Sequence, residues 1–108
     1  MQTQNDIETL MRIKSADDIA SVEVENYYTD DYQQCADVRI NGAYIEFLWF
    51  DNLGFLEYWQ DSAKAKADLF HNMQHMLYCH CIEHKCMDGE ATKEMEEWAD
   101  AYNAKYNA

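Results

Sequence analysis

The sequence predicts an α+β domain, a three-stranded antiparallel sheet covered by helices in the order α-β-β-β-α-α, and three observations lead there. Two alternating runs, A-D-V-R-I and A-Y-I-E-F-L-W, flank Asn41-Gly42, the dipeptide best suited to a two-residue hairpin because both turn positions need positive φ. All three glycines fall at punctuation points, and the chain has no proline. Apolar residues recur at helical spacing before and after the strands rather than among them.

Taken in order, Asn5 or Thr3 caps a first helix over residues 6–14. Ile7, Leu10, Met11 and Lys14 share one side of it, and Asp6 and Glu8 suit the positive N-terminal end. Residues 15–19 form a connection. Residues 21–28 alternate, with Val22 and Val24 on one face and Glu23 and Glu25 on the other, and make the first strand. Thr29-Asp30-Asp31 turns the chain into strands over residues 32–40 and 43–50. A two-residue turn fixes the register: Ile40 faces Ala43, Arg39 faces Tyr44, Val38 faces Ile45, Asp37 faces Glu46 and Ala36 faces Phe47. Ala36, Val38, Ile40, Ala43, Ile45, Phe47 and Trp49 then form an apolar face, opposite Asp37, Arg39, Tyr44 and Glu46. Two strands cannot bury such a surface alone, so further elements must cover it.

Asp51 to Gly54 reads as a turn and residues 55–60 as a helical or irregular bridge. Ser62 caps a long helix reaching about residue 87, where Asp88-Gly89 stops it. A last helix over residues 90–105 carries Ala91, Met95, Trp98, Ala99, Tyr102 and Tyr106 on one stripe, with Glu90, Glu94, Glu96, Glu97 and Asp100 turned away.

A length of 108 residues fits a single domain, 1–108, which buries roughly two thirds of its unfolded surface. The chain is 48% hydrophobic and 14% aromatic, so it should fold, unlike acidic disordered chains. Its formal charge of −13, from 21 acids and 8 bases, repels nucleic acid and anionic membranes and favours basic partners. The N-terminus carries no basic segment followed by an apolar run and no stretch is apolar enough to span a bilayer, so a cytoplasmic protein is expected. Cys79, Cys81 and Cys86 lie in a helical segment at spacings unsuited to disulfides, which predicts thiols or metal ligands.

Two clusters carry candidate chemistry. On the long helix His71, His75 and Cys79 stack at i, i+4, i+8, a zinc-type ligand set. No glutamate completes an H-E-x-x-H motif, and eight residues of helix span about 12 Å, too far for one undistorted ion. His80 and His84 share a side with Leu69, Met73, Met76 and Leu77, where they and Cys81 are expected in the core. Catalysis has little to stand on. The serines, Ser15, Ser21 and Ser62, occupy cap or strand positions, and the His75–Cys79 pair has no oxyanion donors or glycine-rich loop beside it. No enzymatic activity and no obligatory cofactor are therefore expected.

The second cluster is acidic. Asp17, Asp18, Glu23, Glu25, Asp30, Asp31 and Asp37 follow one another with no base between, and Glu46 joins them across the hairpin. Strand and helix neighbours set such carboxylates about 5 to 7 Å apart, comparable to phosphates along a nucleic acid. The expected partner-binding residues are Glu23, Glu25, Asp30, Asp31, Asp37 and Glu46, with Tyr27, Tyr28 and Tyr44 as rigid anchors.

A short acidic chain with this element order resembles the small type II-A anti-CRISPR proteins that occupy the duplex-reading site of the CRISPR effector nuclease. The residues that carry the resemblance run from Asn5-Asp6-Ile7 through the V-R-I-N-G-A-Y-I-E hairpin, about half the chain. The resemblance implies a phage-encoded inhibitor that mimics nucleic acid against a basic host enzyme, without binding nucleic acid or membrane itself. Two other readings follow from the residues: a zinc-binding module using His71, His75 and Cys79 or Cys86, and a homodimer through Trp98, Tyr102 and Tyr106.

Overall fold

The computed structural model describes residues 2–83 and 92–106. Its elements are α1 (Gln4–Met11), a 3₁₀ turn (Ala16–Asp18), β1 (Val22–Asp30), β2 (Gln33–Ile40), β3 (Ala43–Phe50), the single-turn α2 (Gly54–Glu57), α3 (Ala63–Glu83) and α4 (Lys93–Tyr106). The strands form one antiparallel sheet in the order β1-β2-β3, so the fold is α+β with the expected order and α2 inside the bridge. Contacts divide the chain into two compact units, Met1–Met76 and Leu77–Ala108. Among the described residues no helix is long and apolar enough to cross a membrane.

The first unit is built around the Asn41-Gly42 turn. Asn41 and Gly42 have φ of 52° and 81°, and all five residue pairs set by that turn occur. Asn41 does more than turn the chain. Its Oδ1 accepts from the N–H groups of Ala20 (2.7 Å) and Ser21 (3.1 Å), and its Nδ2 donates to the Asp18 carbonyl (2.9 Å). The entry to β1 is thereby tied to the far hairpin. Ala36, Val38, Ile40, Ala43, Ile45 and Phe47 are buried, and α1, with Ile7, Leu10 and Met11 buried, packs against β3.

Thr3, not Asn5, caps α1, through a reciprocal box in which Thr3 Oγ1 accepts from the Asp6 N–H and Asp6 Oδ2 accepts from the Thr3 N–H. The helix ends at Met11 rather than residue 14. The Asp18 carboxylate accepts from the N–H groups of Lys14 and Ser15, which draws the chain out of the helix and leaves Lys14 exposed while Ile13 is buried. Gln2 Nε2 donates to the Tyr44 carbonyl at 2.8 Å, so the segment before α1 covers part of the outer edge of β3.

Two β-bulges interrupt the alternation that the sequence suggested. In β1 the pairing steps from Val24↔Val38 to Asn26↔Asp37, leaving Glu25 as the extra residue. In β3 it steps from Ala36↔Phe47 to Gln34↔Phe50. An extra residue reverses the faces of everything beyond it. Trp49 is therefore not on the apolar face as expected: it has φ of 64°, is 54% exposed and gives its inward place to Phe50. The Phe50 ring centroid lies 5.7 Å from Phe47 and 5.6 Å from Phe55. β1 also continues to Asp30, two residues past the expected end, because the turn is the tight Asp31-Tyr32 pair with φ of 51° and 66°.

Ser62 Oγ accepts from the Ala65 N–H and caps α3 as expected. Leu69 and Met73 are its fully buried side chains within the first unit, where Met76 Sδ accepts from the Leu48 N–H at 3.5 Å. In the second unit Leu77, Cys81, Met95, Ala99 and Tyr102 are buried, and Tyr102 stacks on Tyr78 (4.9 Å) and Trp98 (5.5 Å). Tyr106 ends the stripe 42% exposed, more open than an apolar position would be. Thr92, whose Oγ1 accepts from the Met95 N–H, sets the start of α4 three residues later than expected. The expected end of α3 at Asp88-Gly89, with His84, Cys86, Glu90 and Ala91, lies outside the described residues.

Candidate interaction face

The sheet face opposite the core carries most of the acids singled out from the sequence. Reading across the strands, Glu23, Arg39 and Tyr44 form one row and Asn26, Asp37 and Glu46 the next. The bulge at Glu25 then brings Tyr28 and Asp30 to this side, and the bulge in β3 brings Trp49. Strands lie about 4.8 Å apart and alternate residues about 6.8 Å apart, so the carboxylates form a two-dimensional array rather than a line.

The array is fastened. The Tyr44 hydroxyl donates to Asp37 Oδ1 at 2.6 Å, the Tyr28 hydroxyl donates to Glu46 Oε2, and Trp49 Nε1 donates to Asp30 Oδ2 at 3.2 Å. Arg39, the basic residue of the face, pairs through Nε with Glu25 Oε1 at 2.9 Å, and its guanidinium lies 5.9 Å from the Tyr44 ring centre. Burial, then the bond to Glu46 and its charge, push the Tyr28 hydroxyl well above the ordinary tyrosine range, with Cys35 and Asp37 adding to it. Tyr44 is raised likewise by burial, then by the bond to Asp37 and the charges of Asp37, Glu46 and Glu25. Both hydroxyls thus stay protonated donors, and each partner oxygen is positioned without its charge being neutralised.

Not every expected contact residue gathers here. Asp31 lies in the β1–β2 turn, past the end of the array. Tyr27 pairs with Ala36 and turns to the other side of the sheet, where it is 47% exposed, because the Glu25 bulge exchanges the sides of Tyr27 and Tyr28. Tyr28 and Tyr44 are half-buried rather than exposed. Arg39 and Trp49 belong to the face although sequence reasoning passed over them as contacts. The i,i+3 spacing of Phe47 and Phe50, which period-two alternation cannot place on one side, is the signal that betrays the second bulge.

On α3, His71, His75 and Cys79 are exposed one turn apart. Among the described residues no group of three or more His, Cys, Asp or Glu side chains is arranged to hold one metal ion. Cys35, Cys79 and Cys81 are thiols, and burial pushes Cys81 up to about 11 and Cys79 upward as well. Cys81 is therefore a small buried hydrophobe, as expected. His80 is half-buried.

Comparison with protein-family models, with curated proteins and with solved structures gives no match.

Proposed function

We propose that this chain is a non-enzymatic inhibitor that lays its acidic sheet face in the cationic nucleic-acid groove of a host defence enzyme, such as a CRISPR–Cas effector, in the host cytoplasm. The observation that carries the reading is the gathering of Glu23, Glu25, Asp30, Asp37 and Glu46 on one face, with four of the five held by a hydroxyl, indole or guanidinium donor. Rigid carboxylates lose little conformational entropy on docking, which favours their use as substitutes for phosphates. Arg39 is a single positive charge, ion-paired with Glu25, against five carboxylates, so the face stays acidic. The class, a phage-encoded nucleic-acid mimic, is what the resemblance in charge and element order implies.

The test is competition between this protein and duplex DNA for a purified type II-A CRISPR effector over a range of salt. Inhibition should fall steeply as salt rises. Charge reversal at Glu23 and Asp30, both exposed on the face, should weaken it by about tenfold or more while thermal unfolding stays put. Absence of inhibition would reject the effector as target; inhibition insensitive to salt and to the reversal would reject the acidic face.

A further inference from the structure

At the end of the sheet where the first two strands run past the bulge in β3, residues of the β1–β2 hairpin and of the 52–58 segment enclose a cleft of about 520 Å³. That is within the range of small-ligand sites. Tyr27, Tyr28 and Tyr58 line it together with Glu57, over a floor that includes the fully buried Cys35. Its wall is fixed by hydrogen bonds: Gln34 Oε1 accepts from the Leu53 N–H at 2.9 Å and Asn52 Oδ1 from the Gly54 N–H at 2.7 Å. Among the described residues, none that lines this cleft is basic. Tyr27 and Tyr58 leave 47% and 58% of their surface in water, so both side chains are accessible to a ligand in the cleft. The Glu57 carboxylate interacts with the Tyr27 hydroxyl, whose proton is held first by burial and then by that carboxylate.

We infer that this cleft takes the guanidinium of an arginine side chain presented by a protein partner, the guanidinium plane lying against the tyrosine rings and its N–H groups directed to Glu57. Three features select that occupant. Aromatic faces attract cations, and a planar guanidinium can also stack on them, which an ammonium cannot. A carboxylate at the rim accepts the forked donors of arginine and repels anions. The net charge of −13 concentrates cations near the whole surface. The cleft meets the acidic sheet face at Tyr28, but the residues that would hold the guanidinium are distinct from it, because Tyr27 turns to the other side of the sheet and Glu57 and Tyr58 belong to no strand.

The experiment is an amide NMR titration of the full chain with Nα-acetyl-arginine-methylamide, with the neutral citrulline and the lysine analogues as separate arms. The arginine probe should give saturable shifts at Tyr27, Glu57 and Tyr58, the lysine probe weaker ones, and the citrulline probe none. Glu57→Gln should weaken arginine binding by about fivefold to tenfold, and Tyr58→Ala should do the same while Tyr58→Phe retains it. Both positions are exposed, so the variants should keep the native amide spectrum elsewhere. Equal shifts with citrulline, equal affinity for lysine, or arginine binding that survives Glu57→Gln and Tyr58→Ala would overturn the assignment. Charge reversal at Glu23 and Asp30 should leave this binding intact, which separates its outcome from that of the effector competition.

Discussion

The Tyr28 hydroxyl donates to Glu46 across the middle strand, joining β1 to β3, two strands that are not neighbours in the sheet. The bond exists because the Glu25 bulge turned Tyr28 away from the core. With unbroken alternation Tyr28 would stand on the side of Val22 and Val24, and Tyr27 would take its place beside the acids. The acidic face is thus made by backbone irregularity as much as by composition, and the Trp49–Asp30 bond links the ends of the two bulged strands.

A double-mutant cycle measures that link. Tyr28→Phe removes the donor and Glu46→Gln weakens the acceptor, and both side chains are partly solvated, so water recovers some of what is lost. Each single change should lower unfolding free energy by about 1 kcal/mol, and the pair should cost about 1 kcal/mol less than the sum. Urea denaturation supplies all four values. Strict additivity would mean that the bond contributes nothing in solution.

Alkaline pH should weaken the same face. In Tyr28 and Tyr44 the folded state raises the pKa, so the native protein retains protons that the unfolded chain releases. Their contribution is whole below the unfolded tyrosine value of about 10 and is lost as pH rises from there through the folded values. Urea midpoints should therefore fall between about pH 9.5 and 11, and the slope should flatten in the Tyr28→Phe/Tyr44→Phe variant. Tyrosinate absorbance should show late-titrating phenols in the native protein, Tyr28 and Tyr44 with Tyr27 and Tyr102, that titrate on time in urea, and the double variant should lose two of them. An unchanged slope in the double variant would place the alkaline sensitivity elsewhere.

Asn41 combines a conformational and a bonding role that substitution can separate. Glycine accepts φ of 52° but leaves the Ala20 and Ser21 N–H groups and the Asp18 carbonyl without their side-chain partner. These groups are exposed enough for water to replace it, so Asn41→Gly should cost about 1–2 kcal/mol. Asn41→Ala loses the same bonds and adds the left-handed penalty of about 1 kcal/mol. Thermal unfolding should rank native above Gly above Ala. Equal losses for Gly and Ala would mean that the turn tolerates any residue.

The register through Asn41-Gly42 was legible because a two-residue turn leaves period-two alternation no freedom, and every residue pair near it followed. The bulges were not legible in the same way. Neither V-E-V-E-N-Y-Y nor F-L-W-F carries a glycine or proline to mark an insertion, and the positive φ at Trp49 falls on a residue that rarely adopts it. The acids were readable as a charge pattern, but their side of the sheet depended on the bulges, so Tyr27 was grouped with residues it does not join. Helix ends moved for local reasons also invisible at the level of periodicity: Asp18 reaching back to Lys14, and Thr92 claiming the Met95 N–H.

The histidine-rich side of α3 offers a last discrimination. His71 and His75 lie one turn apart and could share an ion, whereas Cys79 is about 12 Å along the helix from His71, so three-point coordination would require the helix to break. Two imidazoles alone bind zinc weakly, and zinc near its dissociation constant adds only about 0.4 kcal/mol to stability. Chelator treatment should therefore leave the melting temperature unchanged, and His75→Ala should abolish whatever weak zinc response remains without altering inhibition of a target. One zinc per chain by elemental analysis, with melting lowered several degrees by chelator, would instead make metal part of the fold and would demand ligands beyond this row, Cys86 first among them.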